Sequence, residues 1–113
     1  MKRDISQTRN FAKRVDDLLR SRRLLPEDFE AFKKRLVQNP EEGDLIPGTG
    51  GVRKTRLKSS TKGKSGGFRV CYFDDPYREE LFLMRIYLKN EREDLTSEEK
   101  KALREFAEIV KRR

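Results

Sequence analysis

Apolar residues recur along this chain in two different periods, and the change of period divides it into a helical first part, a strand-rich middle and a helical end. Phe11, Val15, Leu18 and Leu19 fall at spacings of 0, 4, 7 and 8, which is one face of a helix running from about Thr8 to Arg22. The opposite face is basic. A second helix is expected to begin at Pro26, a favoured first helical residue, with Glu27 and Asp28 complementing the positive end of its dipole. Phe29, Phe32 and Leu36 form its buried stripe. Asn39-Pro40 ends it, because the residue before a proline is pushed out of the helical region. The two make a helical hairpin.

From Gly43 the character changes, since all seven glycines lie between Gly43 and Gly67. Val52 to Leu57, Phe68 to Phe73 and Glu80 to Leu88 read as strands, with a flexible basic loop from Ser59 to Gly67 and a turn at Asp74-Asp75-Pro76. In the last strand, period two puts Phe82, Met84, Ile86 and Leu88 on one face and Leu81, Leu83, Arg85 and Tyr87 on the other. A strand apolar on both faces belongs inside a sheet. Ile5 contributes at most a short first strand. Thr96-Ser97-Glu98-Glu99 is a capping box, followed by Leu103, Phe106, Ala107 and Val110 at 0, 3, 4 and 7, an amphipathic helix expected to lie against the sheet. The pattern predicts one α+β domain over residues 1–113: an N-terminal helical hairpin packed on a small antiparallel sheet, with a closing C-terminal helix.

Charge refines this picture. The 28 Lys and Arg against 20 Asp and Glu give a net +8 over 113 residues, yet no acidic residue occurs between Asp44 and Asp74. Arg53, Lys54, Arg56, Lys58, Lys62, Lys64 and Arg69 fall in that stretch, so nearly all of the imbalance is local. No apolar run approaches the roughly 20 residues of a membrane span, and the amino terminus has no apolar core of a secretory signal; the cytoplasm is the expected location, with no membrane partner. The single cysteine, Cys71, cannot form an internal disulfide, and its apolar strand context suits a small buried side chain. With no histidine, the usual zinc spacings and histidine base catalysis are excluded.

Lys54 and Arg56 are two apart on a strand and leave the same face of the sheet, where Arg69 on the next strand can join them. Converging cations suit polyanion phosphates lying among them, and Tyr72 and Tyr87 offer aromatic surfaces for base stacking. The plainer reading is a solvated face whose lysines protect a sheet edge. Gly48-Thr49-Gly50-Gly51 lacks the spacing and the Gly-Lys-Ser/Thr ending of a P-loop and is followed by a strand; a turn needing positive φ accounts for it better.

The run Gly43-Asp44-Leu45-Ile46-Pro47-Gly48-Thr49-Gly50-Gly51-Val52-Arg53-Lys54, then Gly63-Lys64-Ser65-Gly66-Gly67-Phe68-Arg69-Val70, then Ile86-Tyr87-Leu88-Lys89-Asn90-Glu91 and Asp94-Leu95-Thr96, closely resembles the HigB branch of the RelE-like toxins, in matching order from about Phe11 onward. The resemblance implies a bacterial type II toxin with a microbial ribonuclease-like α+β fold, a ribosome-dependent endoribonuclease that cuts translated mRNA in the ribosomal A site. It also implies a cognate antitoxin, a HigA-like helix-turn-helix protein, through which alone the toxin would meet operator DNA. No cofactor or metal is implied.

The family's basic positions fall on Lys54, Arg56, Arg69 and Lys89, the expected catalytic set. Arg53, Lys58, Lys62, Lys64, Tyr72, Tyr87 and Asn90 are the expected contacts to RNA and ribosome. Cleavage of this kind resembles attack of a ribose 2′-hydroxyl on the adjacent phosphate, needing a base, cations around the phosphorane and an acid at the leaving oxygen. Arginine is effectively always protonated, so Arg56 and Arg69 read as transition-state stabilisers. Lysine can lose its proton when crowded and desolvated, which makes Lys54 the expected base and Lys89 an expected donor or phosphate ligand. Some RelE-like members carry an arginine and a later tyrosine after the last strand, where this sequence has Asn90 and Thr96; the acid–base pair stays open. Two other functions remain: a ParE-like toxin that poisons DNA gyrase, which has no use for converging phosphate ligands, and a non-catalytic RNA-binding module.

Overall fold

The computed structural model describes residues 3–61, 67–89, 91 and 94–113. Five strands and three helices follow in the order β1 (Asp4–Gln7), α1 (Arg9–Arg20), α2 (Pro26–Gln38), β2 (Asp44–Leu45), β3 (Arg53–Leu57), β4 (Phe68–Asp75), β5 (Glu80–Leu88) and α3 (Ser97–Arg112). The strands form one sheet in the order β1-β5-β4-β3-β2. β5 is interior, as its two apolar faces require. The sheet is mixed, not wholly antiparallel: β1 runs parallel to β5, Ile5 opposite Leu81. A parallel neighbour arises because α1 follows β1 and carries the chain away over the sheet face, so no hairpin joins the two.

Each helix starts where its sequence places a cap. Thr8 Oγ1 accepts from the Phe11 N–H, Pro26 opens α2, and Thr96 and Glu99 exchange the two bonds of a capping box at 3.1 and 2.9 Å. The sheet separates two cores. Phe11, Val15, Leu18, Phe29, Phe32 and Leu36 of the hairpin pack on Leu57, Val70, Tyr72, Leu83 and Ile86. On the other side Leu103, Ala107 and Val110 of α3 pack with Leu95 on Val52, Cys71, Phe73, Met84 and Tyr87. No helix among the described residues is long and apolar enough to cross a membrane.

The strict alternation expected along β5 does not hold. Tyr72 pairs with Leu83 and the preceding Cys71 with Arg85, so Met84 is an extra residue, a β-bulge. The bulge shifts the phase by one. Phe82, Met84 and Tyr87 face α3, whereas Leu81, Leu83, Ile86 and Leu88 face the hairpin, and Arg85 is turned to the α3 side, where it meets Glu99. The loop before β3 is compact as the glycines suggested: the Thr49 hydroxyl, fully buried, donates to Ile46 O at 2.7 Å and accepts from the Val52 N–H at 3.2 Å, while Gly48, Gly50 and Gly51 take positive φ.

Candidate nucleic-acid interface

Side chains along β3 alternate between the two cores. Arg53, Thr55 and Leu57 turn toward α2, where Thr55 Oγ1 donates to Glu42 Oε2 at 2.6 Å and Leu57 is buried in the hairpin core. Lys54 and Arg56 therefore turn to the opposite face. Register then fixes their neighbours: Lys54 lies opposite Cys71 and Cys71 opposite Arg85, while Arg56 lies opposite Arg69 and Arg69 opposite Tyr87. Opposed residues have Cβ atoms about 5 Å apart, and the two rows are separated by two residues of strand, about 7 Å. Lys54, Arg56, Arg69 and Arg85 thus surround the buried Cys71 in a patch on the order of 10 Å across. Cys71 is fully buried, the small packed side chain its context suggested.

Lys89 and Lys58 lie at the same end of the sheet, one residue beyond β5 and β3, both exposed. The Lys89 N–H donates to Gly67 O at 3.4 Å, which ties that end of β5 to the start of β4. Lys62, Lys64 and Asn90 lie outside the described residues.

Three expected contacts are not on this surface as expected. Arg53 is on the hairpin side, and its guanidinium donates to the carbonyls of Gly43 at 2.7 Å and Glu41 at 3.2 Å; it anchors the chain entering β2. Tyr72 is on the same side and fully buried. Its hydroxyl donates to Pro40 O at 2.8 Å and accepts from the Gly43 N–H at 2.9 Å, and burial pushes the phenol above its ordinary value. Alternation along β4 forces this, since Arg69 and Cys71 occupy the other face. Tyr87 does face the cationic side, opposite Arg69, but its ring is packed under α3 and only 4% exposed. Neither tyrosine offers an open stacking surface.

The stretch free of acids in sequence is not free of them in space. Glu99 Oε2 lies 3.4 Å from Arg85 Nη1 while its Oε1 accepts from the Thr96 N–H, so the cap of α3 also carries the counterion of Arg85. Asp94 accepts from the Leu95 N–H at 2.7 Å. That bond, with the charges of Lys100 and Lys54, holds its carboxyl below the ordinary value. Glu99 and Asp94 thereby place negative charge beside the Lys54–Arg85 row from the α3 side.

Sequence reasoning missed Arg85, because uninterrupted period two places it with the hairpin-side residues Leu81 and Leu83. It also missed Asp94 and Glu99, which are remote from the basic stretch in the chain. A basic residue in the middle of an apolar strand was the one available signal for Arg85.

A mixed sheet with a cluster of lysine and arginine on one face, framed by a capped helix, defines a small α+β protein with a cationic sheet face. Comparison narrows this class. Residues 3–113 match the family described as the RelE toxin of the RelE/RelB toxin–antitoxin system. Among solved structures, that of the Escherichia coli toxin RelE, a mutant with two arginines replaced by alanine, in the free state, superimposes with a TM-score of 0.54 over 82% of this chain and 90% of that one, at 18% identity; at that identity the likeness is one of fold. The chain belongs to the RelE toxin family, the toxin half of a toxin–antitoxin system.

Proposed function

We propose that this toxin is a ribosome-dependent endoribonuclease of the HigB branch that cuts translated mRNA in the ribosomal A site, held inactive by a HigA-like antitoxin. The observation that supports the reading most is the placement of Lys54, Arg56 and Arg69 on one sheet face with Arg56 and Arg69 directly opposed. Two guanidiniums in that position are close enough to bind the oxygens of one phosphate group together. The trigonal-bipyramidal phosphorane formed by attack of a ribose 2′-hydroxyl carries more negative charge than the ground-state diester, so this pair stabilises the transition state more than the substrate.

In the proposed reaction the 2′-oxygen bonds to phosphorus as the bond to the 5′-oxygen breaks. Lys54 receives the proton of the 2′-hydroxyl, Arg56 and Arg69 hold the non-bridging oxygens, and Lys89 donates to the leaving oxygen. Lys58, Lys62, Lys64 and Asn90 are proposed to grip ribosomal RNA. Mapping of mRNA 5′ ends after induction tests the reading: cuts clustered within reading frames are expected. Intact transcripts with DNA damage would assign the toxin to the gyrase-poisoning branch instead, and RNA binding without cuts to a non-catalytic module.

A further inference from the structure

The chain leaves β5 through a turn that is closed in both directions. The Glu91 N–H donates to Leu88 O at 3.0 Å, the bond of a β-turn, and the Leu88 N–H donates to Glu91 Oε1 at 2.9 Å. Lys89 is the first residue inside this clasp. Its own N–H donates to Gly67 O at 3.4 Å and continues the ladder with β4. Leu88 belongs to the hairpin core and Tyr87 to the core under α3, so alternation sends the Lys89 side chain out on the cationic face, past the Arg69–Tyr87 pair.

The clasp is held in turn by α1. Arg14 Nη2 donates to both carboxylate oxygens of Glu91, at 2.9 and 3.0 Å. Burial opposes ionisation of Glu91, but the bonds from the Leu88 N–H and Arg14 outweigh it and keep the carboxyl below the ordinary value of 4.5. Arg14 stands on a fixed support. β1 stops pairing with β5 at Gln7–Leu83, and there Thr8 ties the start of α1 to β5, its N–H donating to Leu83 O and its hydroxyl to Met84 O. Phe11, Val15 and Leu18 of the same helix are buried in one core with Ile86 and Leu88. The two charged side chains themselves are partly exposed, and pairs so exposed add little to stability. What the pair contributes is geometry: it joins the helix at the sheet edge to the turn that carries Lys89.

We propose that Arg14 and Glu91 are positioning residues for Lys89, holding its backbone so that the ammonium reaches the leaving 5′-oxygen. The assignment rests on the RNA-cleavage reading above. A proton donor acts only within about 3 Å of the atom it protonates, and a misplacement of about 1 Å costs on the order of a hundredfold in rate. Lysine is a flexible chain, so its reach is defined only when its backbone is fixed. As the 2′-oxygen bonds to phosphorus and the bond to the 5′-oxygen breaks, the ammonium proton passes to that oxygen. A 5′-hydroxyl and a neutral amine result.

The test measures cutting of ribosome-bound mRNA, and of the same mRNA with sulfur in place of the scissile 5′-oxygen, whose thiolate leaves without a proton because a thiol is far more acidic than an alcohol. On ordinary mRNA Arg14→Gln and Glu91→Gln should each cut at least about tenfold more slowly at saturating toxin. The half-saturating concentration should stay within about twofold of wild type and the melting temperature within about 4 °C. Arg14→Lys should restore most of the rate, because both bonds come from one nitrogen, which an ammonium can replace. Either Gln change added to Lys89→Ala should slow cutting by less than about a further twofold, and on the sulfur mRNA both single variants should cut within about threefold of wild type. If Arg14→Gln unfolds, Glu91→Gln, whose amide oxygen still accepts the Leu88 N–H, decides alone. Active wild type overturns the positioning role, and leaves the cleavage reading intact, if the variants match it, lose rate additively with Lys89→Ala, or lose as much on the sulfur mRNA. No cuts by wild type in either mRNA overturn the cleavage reading and the positioning role with it.

Discussion

Arg56 on β3 stands directly across the strand pair from Arg69 on β4. Like charges so placed oppose strand pairing, and the ladder holds them together with help from behind the sheet. There Arg35 of α2 donates to Arg56 O at 2.7 Å and, through two bonds of 2.9 and 2.8 Å, to Glu42. The framework fixes the backbone of β3 from the hairpin side and leaves the Arg56 side chain exposed on the other. Stability and the proposed function thus fall on opposite faces of one strand.

Arg56→Gln should separate the two. Removal of one charge of an opposed pair is expected to leave the melting temperature unchanged or higher, because cross-strand terms of this kind are worth only about 0.2–1 kcal/mol. Cleavage of translated mRNA should fall on the order of a hundredfold, as for loss of one transition-state donor. Thermal unfolding and a cleavage time course on the same preparation check both.

Tyr72→Phe should behave in the reverse way. The hydroxyl bridges Pro40 O and the Gly43 N–H in a buried setting, and its loss leaves a buried donor and acceptor unpaired, costing about 1–3 kcal/mol. Cleavage at a temperature well below the melting point should be unchanged. A loss of cleavage without a loss of stability would return Tyr72 to the RNA surface.

Glu42 gives the fold a defined response to acid. Burial opposes its ionisation, but hydrogen bonds from Arg35 and Thr55 outweigh burial, and its carboxyl titrates below the ordinary value of 4.5. A group depressed on folding contributes stability that is complete above its unfolded value and is lost as pH falls through its folded value. Glu42→Gln should cost about 1–3 kcal/mol near neutral pH, and the gap between the two proteins should narrow as pH falls from about 6 to about 3. Melting temperatures across that range measure it.

Gly67→Ala should damage fold and activity together. Gly67 precedes β4 with φ of +62°, and a Cβ there would lie 2.4 Å from the carbonyl oxygen of Leu57. Backbone cannot yield as a flexible side chain does, so β3 and β4 must shift and with them the Arg56–Arg69 pair. A fall in melting temperature of at least about 4 °C is expected, corresponding to roughly 1 kcal/mol or more, with reduced cleavage.

How much of this was legible in the chain follows from where its signals are local. Thr96 and Glu99, Pro26, and the apolar stripes from Phe11 and Phe29 announce their helices, because capping and period 3.6 act over a few residues. Lys54, Arg56 and Arg69 were legible for the same reason, two residues apart on one strand and one hairpin away. The bulge at Met84 was not, because β5 is apolar on both faces and a phase shift there exchanges one buried hydrophobe for another. Arg85 changed faces with it. The approach of Asp94 and Glu99 to Lys54 and Arg85 depends on how α3 crosses the sheet, which no local spacing encodes. Tyr72 was misplaced because an aromatic beside basic residues suggests stacking, whereas its alternation with Cys71 already assigns it to the other face.

The central claim is that the cationic face of β3 and β4 cuts mRNA on the ribosome, and Lys54→Ala tests it most directly. Wild type and variant should be compared at equal concentration in a purified translation reaction, with 5′ ends of a defined mRNA read by primer extension. Cuts within the reading frame by wild type, reduced at least about a hundredfold in Lys54→Ala with an unchanged melting temperature, are the predicted result; full cleavage by the variant, or none by wild type, would contradict it.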